Sequence, residues 1–243
     1  ATECEILVVD NDPQASAREA VLALDQPGVR YVHEPTPGIA AARKRGLAEC
    51  DDRDVVVFLD DDLVPVPGWL PPLVDMWHQT GAAAVLGHVE YRLVGAVDPL
   101  VAAGGFYRRR TYPSGTRLST AASGNLLLDV AQVRSLGVDF SPELGLSGGE
   151  DTLFSSQLSA AGGTIVYCAE SVVVGELGPD RANRADTETR LRAHAGILVR
   201  NRLMLATGGV SRGSTRARAV VGGLARRAVG AAYLVLGSWS DNT

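Results

Sequence analysis

Three consecutive aspartates, Asp60, Asp61 and Asp62, follow the apolar run Val55–Leu59. Adjacent carboxylates repel, so the triplet has no stabilising role of its own. In an extended chain, alternate side chains share a face, which sets Asp60 and Asp62 on one side and Asp61 on the other. Two carboxylates on one side suit a hard divalent cation. A solvated turn at a strand end is the alternative.

Four further places carry residues that could do chemistry. Asp10 closes the apolar run EILVVD, at the end of a strand where α/β sheets bind ligands. Asn11 and Asp12 after it read as turn formers. Arg43 lies in a helix that begins after Pro37-Gly38 and could pair with a phosphate, or form a salt bridge on an exposed face. Glu150 and Asp151 open the helix TLFSSQLSAAG behind Gly148-Gly149, which lets the backbone pass close to a ligand. The helix dipole there favours their charged forms, and plain capping is the alternative. Ser123, Gly124 and Asn125 precede the apolar LLLD and read equally as a turn or as part of a site.

These residues need a scaffold. Short apolar runs (EILVVD, VRYVHE, DVVVFLD, AAAVLGHVEYRLV, NLLLD, TIVYCAESVVV) alternate with helical stretches (QASAREAVLAL, IAAARKRGLAEC, PGWLPPLVDMWHQTG, VAQVRSLG, TLFSSQLSAA), which is the pattern of an α/β domain. Residues 98–120 and the stretch DFSPELGLSGGED read as irregular. The net charge of −5 is uneven: from Arg181 onward eleven arginines face three acids, a balance of +8, so the first 180 residues carry −13. A basic tail on an acidic body suits a membrane surface or an anionic partner, or is a solvated helical face. The run Ala219–Gly237 is interrupted by Arg226 and Arg227, so it could lie on a membrane but not cross it. Cys4, Cys50 and Cys168 have no metal-type spacing, and with no secretory pattern at the start a reducing, cytoplasmic compartment is expected. His33, His78, His88 and His194 have no ligand-like spacing, and Trp69 and Trp77 read as core or groove packing.

Several families place acids at strand ends. ILVVDND with VVVFLDDD resembles response-regulator receiver domains, and FLDDDLV resembles haloacid-dehalogenase-type phosphatases. Both use a downstream lysine, and the chain's one lysine is Lys44, upstream of the triplet. The order DND, EPTPGIAAARKRG, FLDDDLVP, SGN and GGEDTLFSSQLSAAG covers most of the chain and resembles family 2 glycosyltransferases. Glu176, Pro179 and Arg181 in ESVVVGELGPDR resemble an exopolysaccharide-type subgroup in which this segment stands where many relatives have a histidine.

The resemblance implies a GT-A fold, a mostly parallel sheet flanked by helices, over residues 1–178, with a basic helical extension over 179–243. Relatives begin with a further strand and helix ahead of the equivalent of EILVVD, so a missing first strand is expected. It implies a hexosyl- or related transferase that moves a sugar from a nucleotide-sugar donor to an acceptor hydroxyl with inversion, in polysaccharide or glycoconjugate synthesis. Asp151 would be the general base. Asp10, Arg43, Asp60 and Asp61 would face the nucleotide, with Lys44 in place of the family's asparagine. Asp62, Asp60 and Glu176 would hold Mg2+ or Mn2+, and Gly124, Asn125 and Glu150 would face donor sugar or acceptor. The acceptor would be a glycan, a lipid-linked sugar or a small molecule, and no nucleic acid is expected. The basic extension would touch the inner face of the membrane peripherally. A non-catalytic nucleotide-sugar or glycan-binding module on the same fold, or a phosphatase, is the rival.

Overall fold

The computed structural model describes residues 4–50, 52–206 and 213–222. The chain divides into two compact units, Ala1–Arg192 and Ala193–Thr243.

The first unit opens with a parallel β-α-β pair: β1 (Ile6–Asp10), α1 (Arg18–Leu22) and β2 (Val29–His33). Helix α2 (Ile39–Ala48) follows, then β3 (Val55–Leu59), β4 (Leu63–Pro65), α3 (Leu70–Thr80) and the long β5 (Ala84–Leu93). The stretch read as irregular contains α4 (Pro99–Gly104), capped by the Asp98 side chain on Leu100 N–H at 2.8 Å, and β6 (Arg117–Leu118). Next come β7 (Asn125–Asp129), α5 (Val130–Ser135), a 3-10 turn over Pro142–Ser147, α6 (Glu150–Ala160), β8 (Ile165–Leu177) and α7 (Arg184–Leu205). Helix α1 is shorter than QASAREAVLAL predicts, because Ala15 takes a left-handed φ of 54° and delays the helix.

The larger sheet has the order β3-β7-β5-β8-β4, with β6 on β8. It is mixed, which corrects the expectation of a mostly parallel sheet. β5 and β8 are parallel, but β7 runs antiparallel to β3 and β5, and β4 and β6 run antiparallel to β8. The reason lies in where β7 starts. Asn125 pairs with Leu59, at the edge where β3 ends, so the chain can only run back between β3 and β5. Among the described residues β1 and β2 pair only with each other.

The core lies on both faces of the sheet, which explains the unbroken apolar runs. Leu126 and Leu128 of β7 pack with Leu47, Phe140, Phe154 and Leu158 under α2 and α6. Leu127 points the other way, against Leu73, Val85 and Val166 under α3. Phe140 stacks on Phe154 at 4.2 Å between centroids, and Phe58 meets Phe140 edge-on. These layers hold the ends of β3 and β7 and the start of α6 in fixed positions.

At the start of α7 the i,i+4 pairs Asp186–Arg190 and Glu188–Arg192 make a solvated charged face. The second unit is described as the remainder of α7 and a helical run over 213–222. No helix among the described residues is long and apolar enough to cross a membrane. Of the apolar run Ala219–Gly237, residues 223–237 lie outside the described residues.

Candidate active site

Asp10 is buried at the end of β1. Its carboxylate accepts from the Asp12 N–H at 3.0 Å, the Ala17 N–H at 3.0 Å and the Tyr31 hydroxyl at 2.9 Å. Burial alone would push this carboxyl up, but the Asp12 amide, Tyr31 and Ala17 together hold it below the usual carboxylate range. Asn11, read as a turn former, is a clasp. Its amide donates to Glu34 O and Thr36 O, and its Oδ1 accepts from the Gly38 N–H, fixing the Pro37-Gly38 corner that starts α2.

Arg43 is 7% exposed and reaches two carboxylates from one guanidinium. Its Nη2 meets Asp60 Oδ1 at 2.7 Å and its Nη1 donates to Glu150 Oε1. One planar fork thus ties α2 to the end of β3 and to the first turn of α6. Glu150 is held above the usual glutamate range, first by burial and then by the neighbouring Asp151, with Arg43 pulling it part of the way back. The backbone N–H groups of Glu150 and Asp151 at the helix start also pull it down, but less than burial pushes it up.

The aspartate triplet is a turn, with Leu63 N–H donating to Asp60 O at 3.1 Å, so strand alternation does not govern it. Asp60 goes inward to Arg43. Asp61 is exposed. Asp62 Oδ2 meets Arg181 Nη1 at 2.9 Å, in a pair whose side chains are 42% and 36% exposed. Exposed pairs of this kind contribute about 0–1 kcal/mol. Glu176 is exposed on β8, in register with Arg92. Among the described residues, no three His, Cys, Asp or Glu side chains converge as a ready metal shell.

Gly124 presses on Asp60: a Cβ there would come within 2.8 Å of Asp60 Oδ2 and 3.0 Å of Leu63 Cδ1. A side chain there would have to push that carboxylate or Leu63 aside. Asn125 is fully buried and turns into the sheet, donating to His88 O, Ser171 O and Ser171 Oγ at 3.2–3.3 Å. It is held against Gly87, where a Cβ would fall 2.1 Å from Asn125 Nδ2. Ser123 Oγ and Asn125 Oδ1 are buried without a protein partner.

Asp151 is half-buried in the first turn of α6, beside the buried Glu150. Its Oδ1 accepts from the Thr152 N–H at 2.6 Å. Gly149 precedes it with a φ of 85°, which swings the chain sharply into the helix. The structure therefore brings Asp60, Glu150, Gly124 and Arg43 into direct contact, with Asp62 and Asp151 adjoining them in the chain. Sequence reasoning missed the contact of Arg181 with Asp62, although Arg181 stands in a motif that it singled out. Cys4, Cys50 and Cys168 are free thiols.

The solved structures that this mixed α/β fold resembles are GT-A glycosyltransferases. GalNAc-T7, solved with UDP, GalNAc and Mn2+, superposes with a TM-score of 0.55 at 18% identity, over 72% of this chain and 38% of the other. TarS of S. aureus gives 0.56 at 14% identity over 88% of this chain and 36% of the other. Its 1–349 fragment, solved with UDP-GlcNAc, gives 0.53 at 15% identity over 83% and 58%. The chain matches the model of glycosyl transferase family 2 over residues 1–119. It is 35% identical over 183 residues to the succinoglycan biosynthesis protein ExoM of Rhizobium meliloti (strain 1021). The match takes in 74% of this chain and 59% of that relative, so the chain spans less than two thirds of the relative's length.

Proposed function

We propose that the protein transfers a sugar from a nucleotide-sugar donor to an acceptor hydroxyl, with inversion and with a divalent cation, in polysaccharide or related glycoconjugate synthesis. The observation that carries this reading is the Arg43 bridge. It holds Asp60 and Glu150, ninety positions apart in the chain, against one guanidinium, so the aspartate turn and the start of α6 share one edge of the sheet. The kinship with ExoM supports the polysaccharide setting.

The chain's residues divide the work. Asp151 takes the proton of the acceptor hydroxyl as that oxygen bonds to the anomeric carbon. The bond from that carbon to the diphosphate oxygen breaks, and the nucleoside diphosphate leaves. A base so placed supplies about 10²–10⁴-fold in rate. Arg43 and Glu150 position Asp60, and Gly124 keeps room for it. Asp10, with Asn11 and Tyr31, shapes the nucleotide end. The acids fit a cation that arrives with the nucleotide: Mg2+ or Mn2+ needs only one or two carboxylates when phosphate oxygens and water complete its shell. Asp62, with Asp60, would hold it, and it would neutralise charge on the leaving diphosphate.

Residues 1–178 then serve as the donor and acceptor domain and 179–243 as a basic extension. The arginines of that extension suit peripheral contact with the inner face of a membrane that carries a lipid-linked acceptor. We place the protein in the cytoplasm on this basis.

The test is calorimetric titration of the full-length protein with UDP, GDP, CDP and dTDP, with and without Mn2+. Metal-dependent binding of one nucleotide, lost in Asp62→Asn, is expected. Failure of a demonstrably folded protein to bind any of the four with Mn2+ present would overturn the reading.

A further inference from the structure

The site contains two arginines in opposite situations. Arg43 is buried and committed on both sides to carboxylates, so its guanidinium has no freedom to serve a ligand. Arg181 meets a single carboxylate, Asp62, in the open, with both side chains more than a third exposed. Asp186, the other acid near it, is engaged by Arg190 at 2.6 Å.

The backbone that carries Arg181 is pinned. Its N–H and that of Ala182 both donate to Gly178 O, at 3.1 and 2.8 Å, closing a tight turn after β8. Its carbonyl accepts from the Tyr107 hydroxyl at 2.7 Å, and Ala182 beside it is fully buried. The Cα is therefore fixed and only the side chain can move. A guanidinium cannot shed its proton, so at Asp62 it competes as a permanent cation with any divalent ion. Once displaced, it stays within a side chain's sweep of that ion, and its planar fork matches phosphate oxygens.

We propose that Arg181 is a diphosphate-binding residue: its guanidinium, which meets Asp62, moves from that carboxylate to a phosphate oxygen when a nucleoside diphosphate binds with its cation. The inference rests on the donor-site reading above. It makes Arg181, rather than Arg43, the arginine that touches the leaving group.

The experiment compares the wild type with Arg181→Met and Arg181→Lys by calorimetry, using Mn2+ alone and then the nucleoside diphosphate selected by the titration above in saturating Mn2+. Arg181→Met should weaken the nucleotide at least about tenfold, the size of one hydrogen bond to a charged group. It should bind Mn2+ alone at least as tightly as wild type, since the competing cation is gone. Arg181→Lys should recover part of the nucleotide affinity as a point charge without the fork. Melting temperatures should agree within about 2 °C. Nucleotide affinity in Arg181→Met within twofold of wild type would overturn the proposal. So would equal losses of Mn2+ and nucleotide binding with a lowered melting temperature, the mark of a structural brace. If Asp62→Asn abolishes binding while Arg181→Met does not, the donor site stands and Arg181 is removed from it. A wild type that binds no nucleotide overturns both.

Discussion

Arg43 and Glu150 meet across 107 positions of the chain, a guanidinium from α2 against a carboxylate in the first turn of α6, both buried. The same guanidinium holds Asp60. Stability and the proposed donor site are therefore joined at one side chain, and substitutions there should be read for both.

Removing one partner of a buried pair leaves the other charge uncompensated, at a cost of about 3–5 kcal/mol. Arg43→Met should fall in that range in urea unfolding. Glu150→Gln should cost less, since Arg43 keeps Asp60 as a counter-charge. The double variant should be more stable than the sum of the singles, and a double-mutant cycle measures the difference. Simple additivity would show that the two groups do not interact in solution.

The pH dependence of stability follows from opposite shifts. Glu150 has its folded-state value raised, so the folded protein holds this proton more tightly than the unfolded chain does. Its contribution is fully present below the ordinary glutamate value of 4.5 and is lost as pH rises from there through the raised value. Asp10 is lowered from 3.8, so its contribution is present above that value and is lost as pH falls through the folded-state value. Denaturant midpoints between pH 4 and 7 should therefore decline less with rising pH in Glu150→Gln than in wild type. Below pH 4, Asp10→Asn should flatten the acid limb.

Gly124→Ala tests the close approach of β7 to the aspartate turn. The added methyl would meet Asp60 Oδ2 at 2.8 Å, closer than real Cβ contacts allow. Asp60 Oδ2 must move, which turns the carboxylate whose Oδ1 meets Arg43, and nucleotide affinity should fall by about tenfold, the size of one hydrogen bond to a charged group. Unchanged affinity would mean that Asp60 does not position the nucleotide.

Asp151→Asn separates binding from chemistry. An amide cannot take a proton, so kcat should fall about 10²–10⁴-fold while the nucleotide dissociation constant stays put. A matching loss of affinity would place Asp151 on the donor rather than on the acceptor hydroxyl.

Much of the scaffold was legible in the residues. The runs Val55–Leu59 and Leu126–Leu128 are apolar throughout because both faces of their sheet are covered, and short length with flanking glycines and acids marks them as strands. The break at Pro37-Gly38 and the glycines before Glu150 mark where α2 and α6 begin. The ordered motifs around Asp10, Asp60–Asp62 and Glu150-Asp151 pointed to a sugar transferase. The sheet's mixed direction was hidden, because an apolar run carries no sign of which way its neighbour travels.

The division falls between local and distant information. Residue types and short spacings tell where strands stop, where helices start and which acids stand at the ends, since those outcomes depend on a few neighbouring backbone groups. They do not tell which acid each arginine meets. The Arg43–Asp60, Arg43–Glu150 and Arg181–Asp62 pairs span 17, 107 and 119 positions. Such partners are chosen by how α2, β7 and α6 pack around one sheet. That packing turns the carboxylates of a single tight turn in different directions, Asp60 to a buried guanidinium and Asp62 to an open one.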